Sequence, residues 1–361
     1  RFLRTFLYYG FNQDEEKRRA FDGVLVHVAG AGRGSFNHRF AQASRDGHPF
    51  MNCFYPTDIF PFTDLEQSDP ETKLSEGILS RATKENVTPK VFYTNSSYEY
   101  YGRAASLIHT SLDGTQDASL AKDTRIYLLA GGQHGPAAFP PSRQRTQQTP
   151  NPNNFRWSMR ALLLALNRWV ADGKEPPPSR YPRLADRNLT PLPNLTFPKL
   201  PGVRLPERIQ TAYRLDFGPS FRSRGVVSLE PPKVGKPFPT LVPQVDRDGN
   251  ELEGIRLPEI QVPLATYTGW NLRAPELGAA DELYSMVGSF IPFPRTKAER
   301  LKQGHPLPSI EERYSNRQEY LEKVKAAAHR LEREGYLLES DIPSIVTMAG
   351  STWDYLLEPR P

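Results

Sequence analysis

In "AGGQHGPAAFPP", residues 130–141, His134 follows directly on an apolar run, flanked by glycines and soon followed by Pro136. Neither strand nor helix packing asks for an imidazole there. A histidine held by a carboxylate through one ring nitrogen can move a proton near neutral pH with the other, which is what acyl transfer requires. "TNSSYEYYG", residues 94–102, places such a carboxylate, Glu99, just beyond another apolar run. Glu99 reads either as a helix-start residue, where the helix dipole favours an acid, or as the acid that orients His134. Asp113 and Asp117 are the alternative acids, and an ordinary loop histidine is the bland reading of His134.

Other stretches offer walls for such a site. "AGAGRGSFNHRF", residues 29–40, has the glycine content of a phosphate-cradling loop but the spacing G-x-G-x-G, so its glycines read as a sharp turn at a strand end. His38 and Arg39 in it are candidates to face a pocket. Rings crowd two turn-rich places, "HPFMNCFYPTDIFPF" and "TYTGWNLR", and Phe54, Tyr55 and Trp270 are the candidates for a substrate-pocket wall or lid. "DRDGNELE", residues 246–253, invites a calcium reading, but EF-hand spacing is not met and "DG" is a hairpin turn. No cofactor and no metal are expected.

The elements that must position these residues alternate. "FDGVLVHVAG", "PKVFYTN" and "TRIYLLAGG" are short apolar runs of the kind buried on both faces of a sheet. "YGRAASLIHT" and "NNFRWSMRALLLALNRWVADG" read as helices between and after them, the second with an apolar face of Trp157, Leu162, Leu163, Leu166, Trp169 and Val170 and a stop at Gly173. Strands separated by helices imply parallel crossovers, and such sheets carry chemistry in the loops at the carboxyl ends of their strands. The chain opens with "RFLRTFLYYG", whose Phe2, Leu3, Phe6 and Leu7 fall on one helical face without an initiator Met or an N-cap. It reads as the middle of a domain.

Composition narrows the function classes. The 361 residues are 38% hydrophobic and 24% charged, enough to bury a core. A net charge of +5, from 46 basic and 41 acidic residues mixed along the chain, is a solvated surface and not a nucleic-acid footprint. No apolar run approaches the ~20 residues of a membrane span. The single Cys53 excludes a disulfide within the chain and leaves the compartment open, a secreted or periplasmic location included. The 35 prolines concentrate after Gly173 in "KEPPPSRYPRLADRNLTPLPNLTFPKLPGVRLP". This connector divides a sheet domain, residues 1–180, from a Pro-rich region of strands and hairpins, residues 181–361, that ends in helices. "SNRQEYLEKVKAAAHRLEREG" is one of those helices, with a Ser315/Gln318 capping box and a stripe of Tyr320, Leu321, Val324, Ala328 and Leu331.

"RFLRTFLYYGFNQDEEKRRAFDGVLVHVAGAGRGSFNHRFAQ", "PKVFYTNSSYEYYGRAASLIHT" and "LLAGGQHG" resemble a family of uncharacterised bacterial α/β-hydrolase-domain proteins. The likeness extends to "GIRLPEIQVPLATYTGWNLR" and "MVGSFIPFPRT". It implies an α/β fold, the C-terminal part of an α/β-hydrolase parallel sheet with its last three strands and helices, followed by a Pro-rich β/α region. In that family a G-x-S-Q-S-G elbow precedes the segment matching residues 1–8. No G-x-S-x-G occurs here, and "RGSFN" and "AGSTW" both break the pattern. The resemblance therefore implies a serine hydrolase of esterase type whose nucleophile lies upstream, so that this chain alone is incomplete and inactive. Its substrate would be a small ester, with His134 as general base and Glu99 orienting it, in the chain order Ser, acid, His. The alternative is a non-catalytic binding or structural member of the same fold.

Overall fold

The structure, a computed structural model, describes residues 1–34, 36, 38–41, 56, 58–143 and 145–357. The three apolar runs form one parallel sheet. Strands β1 (Gly23–His27), β2 (Lys90–Ser96) and β3 (Thr124–Leu129) lie in the order β1-β2-β3. Gly23 pairs with Lys90 and His27 with Thr94, while Val91 pairs with Thr124 and Ser96 with Leu129. All three strands therefore end at one edge of the sheet, where their following loops meet.

Helix α1 (Phe2–Tyr8) precedes β1, and its buried side chains are Arg4, Thr5, Leu7 and Tyr8. Phe2, expected on the core face, is 61% exposed. Arg4 takes the buried place because its Nη2 donates to the Phe62 carbonyl and its guanidinium lies 5.5 Å from the Tyr93 ring centroid. Amphipathic periodicity does not anticipate a buried arginine.

β2 runs directly into the short helix α2 (Ser97–Gly102). The stretch expected as one helix over residues 101–110 is broken at Ala104, which has φ +48°, and resumes as a 3₁₀ turn, Ala105–Ile108. After β3, helix α3 (Arg156–Asp172) buries Ser158, Ala161, Leu162, Leu166 and Trp169, and Gly173 ends it with φ +68°. Leu163 is 59% exposed, one position off the buried stripe.

The later chain packs onto the same sheet. Strands β4 (Ala265–Thr268) and β5 (Ser289–Pro292) form an antiparallel sheet with the two-residue strand Thr149–Pro150. Helices α4 (Arg317–Arg333) and α5 (Ile342–Leu357) pack on each other. One apolar cluster joins Phe92, Tyr127 and Leu162 to Tyr267, Phe290, Val324, Ala328 and Ile345. The cap of α4 differs by one residue from expectation: Asn316 accepts from the Glu319 N–H, and Ser315 Oγ donates to the Glu319 carboxylate. Among the described residues no helix is long and apolar enough to cross a membrane.

Candidate active site

Glu99 is on α2, three residues past the end of β2, and is fully buried. One of its oxygens, Oε2, accepts from both the backbone N–H and the hydroxyl of Ser96, at 2.8 and 2.6 Å. Those bonds close the start of the helix. The other oxygen, Oε1, lies 2.7 Å from His134 Nδ1. The helix-start role and the pairing with His134 are thus held at once, by different oxygens of one carboxyl group.

The pairing fixes the imidazole. A carboxylate accepts only, so Nδ1 carries the hydrogen and donates, which leaves Nε2 as the acceptor of neutral His134. Nε2 has no hydrogen-bond partner among the described residues, and the side chain keeps 28% of its surface open. The Tyr98 ring stands edge-on to the imidazole, with centroids 5.9 Å apart.

The loop that presents His134 is held at nearly every peptide. Asn151 Nδ2 donates to the carbonyls of Gly131 and Thr268, and Asn153 Nδ2 donates to the Ala130 carbonyl. Gln133 Oε1 accepts from the N–H groups of Asn151 and Gly288, and its Nε2 donates to Gly135. Gly131 has φ +65°, the left-handed turn that sends the chain off the end of β3.

Glu251 ties this loop to the one that carries Glu99. Its Oε2 accepts from the Gly131 N–H at 2.8 Å, and its Oε1 accepts from the Ser97 hydroxyl. Burial pushes this carboxyl up to about 7 against the opposing pull of Ser97, Gly131 and Arg256. Glu251 stands at the end of the tight turn "DRDGNE", where Asp246 Oδ1 accepts from the N–H groups of Asp248 and Asn250 and Gly249 has φ +77°. The calcium-like segment is a hairpin turn that delivers a carboxyl between two loops. Gly269, just after β4, lets that strand end approach the start of α2, since a Cβ there would lie 2.4 Å from the backbone of Ser97.

His27, the last residue of β1, also belongs here. Burial pushes its imidazole down, the charge of Glu99 opposes that shift, and His134 adds to it, so its ring is within electrostatic reach of the pair. Its Nδ1 is 2.9 Å from the Thr94 hydroxyl, and the ring abuts Phe155. The signal was an imidazole closing an otherwise apolar strand run, "VLVHVAG".

The remaining candidates sit elsewhere. Asp113 is in an exposed turn with Ser111 and Thr115, and Asp117 accepts from the N–H groups of Leu184 and Ala185. His38 Nε2 is 2.5 Å from the Tyr9 hydroxyl and its ring packs on Phe221, while the Arg39 backbone bonds to Gly225 and Val227. Trp270, expected on a pocket wall, is 2% exposed and packs against Tyr101 and Phe197. Phe54 and Tyr55 lie outside the described residues. Among the described residues no three His, Cys, Asp or Glu side chains converge as metal ligands.

A family model described as "Alpha/beta hydrolase domain" matches residues 1–347. The chain belongs to the alpha/beta hydrolase domain family. In this hydrolase domain the parallel sheet β1-β2-β3 has Glu99 and His134 beyond the ends of consecutive strands. Among curated proteins and among solved structures, nothing matches the chain.

Proposed function

We propose that Glu99 and His134 are the acid and the general base of a serine hydrolase acting on carboxylic esters, with the nucleophilic serine supplied by residues outside this sequence. The observation that carries this reading is the 2.7 Å contact between His134 Nδ1 and Glu99 Oε1, with Nε2 left open. In the acylation step Nε2 takes the hydroxyl proton as the serine oxygen forms a bond to the ester carbonyl carbon. The imidazolium then gives that proton to the departing alkoxide as the C–O bond breaks. Water repeats the sequence on the acyl-enzyme, releasing the acid. Glu99 stays ionised, keeps the ring in the productive tautomer and stabilises the transient imidazolium.

The test is hydrolysis of a short-chain aryl ester by a protein in which this sequence is joined to the proposed serine-bearing segment, beside its His134→Ala variant. The variant should lose several powers of ten in kcat. A rate within about threefold of the parent would remove His134 from the chemistry.

A further inference from the structure

Tyr98, whose ring meets that of His134, also lines a pocket of about 440 Å³ together with Arg103, Gln210, Arg273, Glu282 and Ser285 among others. Tyr98 is a shared wall: one edge meets the His134 ring, and the Arg103 guanidinium carbon lies 6.0 Å from its ring centroid. Arg103 is the residue that ends α2, only 5% exposed, and its own backbone N–H bonds to the Glu99 carbonyl. Its position is set by the helix that carries the acid.

The guanidinium is under-partnered for so buried a cation. Nη1 donates to the neighbouring Gly102 carbonyl at 2.9 Å, and among the described residues Nε and Nη2 have no hydrogen-bond partner. Arg103 is one of the residues that line the pocket. Asp58 is a nearby buried carboxyl whose charge interacts with that of Arg103, as it does with those of Arg1 and Arg4, but among the described residues no hydrogen-bonded ion pair joins it to Arg103. Arg208 at the same pocket is neutralised by Glu282 at 3.0 Å and Asp281 at 3.6 Å. Arg33, also buried, donates to the Ile59 and Phe60 carbonyls and lies over the Tyr8 ring.

A buried guanidinium with unmet donors is costly, and its planar fork matches a carboxylate through two parallel bonds. Resting on the hydrolase reading of Glu99 and His134, we propose that Arg103 is the anchor of an anion subsite, and that the substrates are esters carrying a free carboxylate at the end away from the scissile bond. Tyr98 is near both the anchor and the imidazole, so the two carboxyl functions of such a substrate would both lie close to that ring.

Two measurements test this. The first compares, in the protein joined to the proposed serine-bearing segment, hydrolysis of the monomethyl esters of the dicarboxylic acids from succinic to suberic with that of their dimethyl esters. At least one monoester should exceed its diester by about tenfold or more in kcat/KM, as a charge-assisted hydrogen bond provides. Arg103→Gln should bring that ratio close to one, and Arg103→Lys should restore part of it. Equal rates on the two ester types in the parent protein would overturn the subsite without any variant. The second measurement follows the Arg103 Nε–H resonance of this chain by NMR during titration with each dicarboxylate from succinate to suberate, adipate included. A saturable shift, absent with the neutral dimethyl adipate, supports the subsite even if no ester is hydrolysed, a result that would sink only the hydrolase reading. No shift with any of the dicarboxylates would overturn the subsite even where hydrolysis is found.

Discussion

The strand-end loops and the hairpin behind them contribute unequally to this site. Glu99 and His134 come from residues 94–135, each just past a buried parallel strand, and they present the groups capable of proton transfer. Glu251 comes from a turn more than a hundred residues later and presents nothing to solvent, yet its two oxygens hold both loops. Local sequence places the Glu99 carboxyl and the His134 imidazole, and a distant carboxyl ties together the two loops that carry them. A site divided in this way should lose rate when the first set is altered, and should lose both rate and stability when the second is altered.

The largest effect is expected at Glu99, where the two duties can be separated. On the proposed reading, Glu99→Gln in the serine-bearing protein should lower kcat by about three to four powers of ten, because an amide favours the wrong imidazole tautomer. Its carbonyl can still accept from Ser96, so the fold should persist. Glu99→Ala should match that loss of rate and also destabilise by about 1–3 kcal/mol, because the buried Ser96 donors lose their acceptor. Ester kinetics and urea unfolding of the two variants check this. If Glu99→Gln kept a rate near that of the parent, Glu99 would be a capping residue only.

The middle effect belongs to Glu251. Glu251→Ala leaves the Gly131 N–H and the Ser97 hydroxyl without their buried acceptor, which should cost about 1–3 kcal/mol of stability and about tenfold or more in kcat, with KM little changed. Glu251→Gln should recover most of both, because its carbonyl can accept from Gly131 while its amide bonds to the serine. The carboxyl also leaves a mark on pH dependence. Burial raises Glu251 and Glu259 from a reference of 4.5 to about 7 in the folded state. Between those values the folded chain holds protons that the unfolded chain has released. Stability should therefore be highest at the acid end of that window, fall as pH rises through it, and level off above about 7. The urea midpoint of the parent should show this fall, and Glu251→Gln should flatten part of it.

Some of this arrangement was open to reading from sequence, and the reason differs from element to element. β1, β2 and β3 are continuous apolar runs because a parallel sheet covered on both faces requires it, and their ends locate Glu99 and His134. The cap and the acid appeared as rival roles for Glu99, since a sequence does not say that a carboxyl group has two oxygens facing different partners. The turn "DRDGNE" was legible as a hairpin, but that its Glu251 reaches Ser97 and Gly131 depends on packing across more than a hundred residues. α1 shows the same limit: an amphipathic pattern selects Phe2, whereas the Phe62 carbonyl and the Tyr93 ring select Arg4. Trp270, grouped with pocket residues for its ring, has the burial of a core side chain.

The smallest effect should come from Asp113, and it sharpens the comparison by removing a rival acid. Asp113 stands in the loop between α2 and β3, in the right chain order for a triad acid, so sequence alone keeps it in contention with Glu99. Its carboxylate instead accepts from the Ser111 hydroxyl and from the hydroxyl and N–H of Thr115, bonds that hold it below the usual carboxylate range in an exposed turn. Asparagine at this position keeps an acceptor for the same turn, and Asn is itself a favoured turn residue. Asp113→Asn should therefore leave ester hydrolysis within about twofold of the parent and change stability by no more than about 0.5 kcal/mol. A loss of a hundredfold or more in kcat, with the fold intact, would transfer the role of triad acid from Glu99 to Asp113. It would then require a rearrangement of the loop to bring that carboxylate to His134 Nδ1, a position now occupied by Glu99 Oε1.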